Sequence, residues 1–365
     1  MNWNFKCTLK SSFQLILLSF LSVVLVACGS GRDNSSSLTT TFTVSHWAGS
    51  TAGSLNGQGS AAQFNAPIGI AANSSGTVYV SDANNSMIRQ ITSSGLVTTF
   101  AGVDRSHGST DGASSVAKFN FPFHLTTSSS GVLYLADLNN HMIRQIDTSG
   151  NVVTIAGSTS FGAVDGASSV ARFKTPKGVV LDASGNLYVA DTGNRLIRKI
   201  DASGVVTTFA GNSASVADLV DGQGSGALFR SPSGIAIDSS GNLYVTDSTA
   251  IRKISSSGSV TTLAGGTDSG QLDGQGSSAS FTGLDGGIVL SNNYLYVADR
   301  GNHRIRQVHP TTGVVTTVAG STMGNVDGTG TNAKFNFPIG IVALSNGNLL
   351  VTDSDNHQIR LLTRQ

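Results

Sequence analysis

Four residues of this chain combine binding-competent side chains with positions that break an otherwise regular pattern: Phe123, His124, Lys177 and Asp285. An aromatic ring, an imidazole, an ammonium and a carboxylate could together form a small polar–aromatic binding site. Richer chemistry finds little support. The acidic residues number 21, and all are Asp, so any carboxylate base or ligand must be Asp. The His residues include no His-x-His pair and no helix-type spacing of the kind that holds zinc in short motifs. His46, His107 and His309 are scattered through strands or loops, and no Gly-x-Ser-x-Gly elbow offers a nucleophilic serine. The sequence therefore calls for no cofactor and no metal. Cys7 and Cys28 are the two cysteines, so the chain beyond residue 28 carries neither a disulfide nor a thiol metal site.

Cys28 is the candidate for covalent modification. Lys6 and Lys10 precede an apolar run over 13–26, shorter than the ~20 residues a spanning helix needs. A basic start, a short apolar centre and small residues after it read as a secretory signal. The run ends Leu25-Val26-Ala27-Cys28-Gly29, which resembles the lipobox of bacterial lipoproteins. The resemblance implies a signal peptide over 1–27, cleavage before Cys28 and a diacylglycerol on its thiol. Gly29, where retained lipoproteins of enteric bacteria carry Asp, implies the outer rather than the inner membrane. Residues 28–41 lack apolar periodicity and are expected to form a flexible tether. Without Lys6 and Lys10 the balance becomes 20 basic to 21 acidic residues, a net charge of −1. Such a surface carries no electrostatic footprint for nucleic acid. The expected partners are a membrane, through the lipid, and a protein or glycan.

The elements that position the four candidate residues are repeats. Tyr79-Val80-Ser81-Asp82 recurs with its Asp at 137, 191, 247, 299 and 353, at steps of 55, 54, 56, 52 and 54. Phe64, Phe119, Phe173, Phe229, Phe281 and Phe335 hold a fixed offset from it. Each copy divides into short apolar, β-branched segments separated by Ser-Gly and Gly-Asn turns, the signature of hairpin-linked antiparallel strands. Four strands per copy, repeated six times, predict an all-β six-bladed propeller over 42–365. The sixth copy ends at its third strand. The missing fourth strand stands before the first copy as Val44-Ser-His-Trp-Ala-Gly49. The N-terminal strand is therefore expected to pair into the last blade and close the ring, leaving no open edge.

Pro-x-Gly-Ile, Gly-Asn-Leu-Tyr-Val-x-Asp and Asn-x-x-Ile-Arg-Lys-Ile resemble NHL repeats, named for an Asn-His-Leu stretch. The eponymous turn reads Asn140-His141-Met142 and Asn194-Arg195-Leu196 in the second and third copies. The repeat length resembles secreted bacterial proteins of this type and the propeller of teneurins. The fourth copy departs, because Asp247 runs through Ser-Thr-Ala250 into Ile251 and drops the Asn.

Residues repeated in every copy are best read as structural. The Asp is expected to form turns, the Phe to plug the core, and the Arg of each Ile-Arg pair to partner the strand-end Asp with little effect if exposed. Function is sought where copies differ. The residue before Gly in Pro-x-Gly reads Ile68, Phe123, Lys177, Ser233, Asp285 and Ile339, and His124 replaces the Gly in the second copy. These positions are expected at the mouth of the central channel, on the face carrying the Asp-x-x-Asn turns and the long inter-blade links. The sequence thus favours a non-enzymatic binding or scaffold lipoprotein. The alternative is a metal-assisted hydrolase or lyase at the channel mouth.

Overall fold

A computed structural model describes residues 40–365. The predicted signal peptide, Cys28 and most of the predicted tether lie outside the described residues. The rest is the expected propeller: six antiparallel sheets, five of five strands and one of four. In the third blade, Val179–Leu181, Leu187–Asp191, Leu196–Ile200 and Val205–Gly211 follow one another from the axis outward. The fifth strand was not anticipated. It is a two-residue segment of the inter-blade link, such as Gly166–Ala167, paired outside the fourth strand.

The first strands of neighbouring blades pack round the axis, and their spacing explains the repeated Gly. A Cβ on Gly69 would lie 2.3 Å from the Phe123 carbonyl oxygen, and one on Gly178 2.1 Å from that of Ser233. The demand is for close backbone approach. The apolar cores lie between blades: Tyr188, Ile197, Phe229, Leu243 and Val245, from the third and fourth, form one cluster.

Closure occurs as expected, over a longer strand. Phe42–Gly49 pairs with Gln358–Arg364 from Phe42 opposite Arg364 to Gly49 opposite Gln358, with a bulge between His46 and Ala48. Phe42 and Val44 enter the core between blades five and six, and Ala48 that between six and one.

The repeated Arg residues differ from expectation. All six are fully buried, each stacked over the repeated Phe at 5.0–5.4 Å from the ring centroid. Arg198 shows the arrangement. It donates to Asp191 Oδ2 (2.9 Å), to Asp165 Oδ1 of the link (2.5 Å) and to the carbonyls of Val164 and Arg172. Asn56 takes the place of the link Asp for Arg89 at 2.8 Å. Burial pushes the Asp82, Asp137, Asp191, Asp247 and Asp353 carboxyls up to about 6, against the pull of backbone N–H donors, a neighbouring side chain and the guanidinium. Where the fourth copy lacks its Asn, the Ser231 N–H supplies a second backbone donor to Asp247 Oδ1 at 2.7 Å.

Candidate binding site at the channel mouth

The first strand of each blade begins at the face that carries the Asp-x-x-Asn turns: Pro67 pairs with Asp82, and Pro122 with Asp137. The residue after each of these Pro residues, and Asp285 after Leu284 in the fifth blade, therefore rings the axis at that face. Three of the four candidates meet there. Lys177 Nζ, from the third blade, donates to Asp285 Oδ1 of the fifth at 3.0 Å and lies 5.4 Å from the Phe123 ring centroid. Ser233, the small residue of the intervening blade, leaves room for this bridge and donates to the Asp285 carbonyl at 3.0 Å. Lys177 is 17% exposed and Asp285 36%. Such a pair contributes about 0.2–1 kcal/mol.

His124 lies one layer deeper. Its ring stands edge-on to Phe123, centroids 5.0 Å apart, and lines a constriction of about 50 Å³ below the mouth with Gly178, Gly234 and Gly287. The His124 backbone N–H donates to the Lys177 carbonyl at 3.2 Å. Nε2 is buried without a partner. Burial, then the Lys177 charge, lower the His124 pKa to about 4, with Asp285 pulling the other way. The folded ring thus stays neutral at pH values where an unfolded His takes a proton. The stability this preserves is complete above the unfolded pKa near 6.5 and is lost as pH falls towards 4. By 1.36 kcal/mol per unit, roughly 3 kcal/mol is at stake. In urea unfolding at pH 7, 5.5 and 4, the stability of the native chain relative to His124→Phe is expected to fall by that order. A difference that stays flat would mean that the ring is hydrated and titrates normally.

The mouth is a bowl of about 250 Å³. Besides Phe123, Lys177 and Asp285 it is lined by Phe121, Arg300 and Asp355, none of which the sequence reading identified. Phe121 and Phe337 precede Pro and hold φ of +60° and +50°. Bulky residues there are strained, and a following Pro disfavours such a backbone further. The strain is offset by contacts: the Phe337 N–H donates to His303 Nδ1 at 3.1 Å, and Arg300 stacks over its ring at 4.8 Å. A bulky residue before Pro, where other copies carry Ala66 or Thr175, was the available signal. Among the described residues, no group of three or more His, Cys, Asp or Glu side chains is placed to hold an ion.

The comparisons agree with this architecture. The NHL repeat family matches residues 64–91, 173–200 and 335–360, and the Teneurin NHL domain matches 216–281. The chain is 32% identical to cattle NHL repeat-containing protein 2 over 297 residues, covering 70% of this chain and 40% of that protein. It is 27% identical to human Teneurin-4 over 362 residues, covering 85% of this chain but 12% of that protein. The chain thus spans well under two thirds of either relative. A solved structure described as an auxiliary nutrient binding protein from Bacteroides thetaiotaomicron superposes with a TM-score of 0.67 at 16% identity, covering 89% of this chain and 77% of that one. Repeats, register and closure agree: the chain belongs to the NHL-repeat family of β-propellers.

Proposed function

We propose that the protein is a non-enzymatic binding or scaffolding lipoprotein, which presents its propeller in the periplasm or at the cell surface from a lipid on Cys28 and takes a protein or glycan ligand at the channel mouth. The observation that carries this reading is the bowl itself. It joins part-exposed aromatic surface at Phe121 to the part-exposed Lys177–Asp285 pair, and brings together charges of both signs. The solved propeller described as an auxiliary nutrient binding protein shares the fold and is compatible with such a role. Purified protein applied to glycan and peptide arrays is expected to give a ligand set that Lys177→Ala and Phe123→Ala both remove. Lys177→Ala should leave stability within about 1 kcal/mol, since the pair is part-exposed. A ligand set indifferent to both variants would move the site away from the mouth, and turnover of the ligand would make the protein an enzyme. Cys28→Ala is expected to release the protein from membranes or block its processing. Retention at the mature size would refute the anchor.

A further inference from the structure

Blade six departs from its five sister copies at three positions that meet in space. The second strand carries Tyr79, Tyr134, Tyr188, Tyr244 or Tyr296 in the other blades and Leu350 in the sixth. Directly across on the third strand stand Gln90, Gln145, Lys199, Lys253 or Gln307, and in the sixth blade Leu361. The turn residue that is Asp182 or Asp238 in blades three and four is Leu344. In blades four and five these positions make polar contacts: Tyr244 Oη donates to Asp238 Oδ2 at 3.2 Å, and Gln307 Nε2 donates to Tyr296 Oη at 3.1 Å. Blade six carries leucine at all three positions.

The exchange leaves space unfilled. Leu344, Leu350 and Leu361 line one cavity of about 440 Å³ between blades six and one, at the face opposite the mouth. Trp47 of the closing strand forms part of its wall. Its counterparts Phe100 and Phe209 pack on Tyr79 and Tyr188, with ring centroids 5.0 and 5.2 Å apart. Trp47, half-buried like both, has Leu350 in place of that tyrosine. No charged side chain lines the cavity. The rim carries Asn73, Asn346 and Asn348, whose Oδ1 atoms accept from the N–H groups of Thr77 (2.9 Å), Asn348 (3.1 Å) and Arg364 (3.2 Å). Their Nδ2 groups donate to nothing among the described residues. In blades three and four the Asn corresponding to Asn348 spends that amide on Asp182 or Asp238, at 2.7 and 2.9 Å.

We propose that this seam cavity is a second binding site, for an uncharged, mainly apolar ring molecule bearing hydrogen-bond acceptors at its edge. The chemistry follows from the lining. An apolar floor and an indole wall favour a ring body. The absence of lining charge penalises an ionic ligand, whose desolvation nothing there would offset. The uncommitted amide donors select acceptors. The volume falls within the range of small-molecule sites, roughly 300–1,000 Å³.

The neutral fluorophore 6-propionyl-2-(dimethylamino)naphthalene, whose ketone oxygen is a hydrogen-bond acceptor at the edge of the ring system, tests the proposal, on the full chain carrying Trp3→Phe so that Trp47 is the sole indole. Saturable binding of one probe per chain is expected, with energy transfer from Trp47. Leu350→Tyr, which restores the residue of the other five blades, and Leu350→Phe, which adds the ring without a hydroxyl, should each weaken binding at least tenfold. If Leu350→Tyr fails to fold, Leu350→Phe decides. Absence of saturable binding, or undiminished binding to a folded variant, overturns the proposal. Because the mouth lies at the other face, loss of the mouth's ligands in the arrays leaves this result untouched.

Discussion

Deleting residues 1–49 is expected to abolish cooperative folding at 25 °C. The deletion removes the strand Phe42–Gly49 and with it Phe42, Val44 and Ala48, each buried to within 1% of full burial in the cores on either side of blade six. At about 1.5–3 kcal/mol per large apolar side chain, to which the lost strand pairing adds, the deficit approaches the 5–15 kcal/mol total stability of an ordinary domain. It also bares Gln358–Arg364 along its whole length, a ready template for pairing with another chain. Circular dichroism melts should show a broad, non-cooperative transition, and sizing should show oligomers. A synthetic peptide of residues 40–50 added in trans should restore a sharp melt. A truncated chain that stays monomeric and melts like the native protein would show that the closing strand is dispensable.

Arg198→Met is expected to cost about 3–5 kcal/mol, the usual penalty for removing one partner of a buried ion pair. The guanidinium bridges Asp191 and Asp165 and satisfies two backbone carbonyls, so methionine recovers the stem's packing over Phe173 and none of the hydrogen bonds. Burial already raises the Asp191 pKa to about 6 with the arginine in place. Without it the carboxyl rises further. A folded-state pKa above that of the native Asp191 means that the variant binds the proton first, so its deficit should shrink as pH falls from 7 to about 6 and level off below, where the native carboxyl is protonated as well. Urea unfolding at pH 7 and pH 5 measures this. Adding Asp191→Asn should recover part of the loss at pH 7 and flatten the pH dependence. A deficit below about 1 kcal/mol at both pH values would mean that the pair is solvated.

The propeller was legible in the sequence because its markers sit where geometry admits a single residue type. Phe64 and its counterparts fill one slot between blades, and the Gly of Pro-x-Gly touches the next blade's backbone. The strand-end Asp accepts bonds that fix the turn. Val44-Ser-His-Trp-Ala-Gly49 stood out as the fourth strand missing from the last copy. The arginines were read as surface partners because a strand flanked by polar turns ordinarily shows one face to water. In a propeller the inner strands have a neighbouring blade on both faces, so Arg198 is as enclosed as Ile197. The site was half legible. Departures from the repeat located Phe123, Lys177 and Asp285, since all stand at the same register, after Pro122, Pro176 and, in the fifth copy, Leu284. The depth of His124 depends on how its ring turns below Phe123, which no linear pattern encodes. Phe121 and Arg300 escaped because they reach the mouth from different turns in different blades.

The pairing of Phe42 with Arg364 also carries a kinetic consequence. It joins the first and last strands of the propeller, the most non-local contact a chain of this kind can make. Closing so long a loop costs entropy before any contact rewards it, and topologies dominated by such pairings fold slowly. A chain emerging from its N-terminus must hold Phe42–Gly49 unpaired until every blade has been made. Up to that moment it carries an apolar strand with two unsatisfied edges, the state in which nascent chains most readily join one another. Circularisation thus exchanges a permanently protected native edge for a prolonged vulnerability during synthesis.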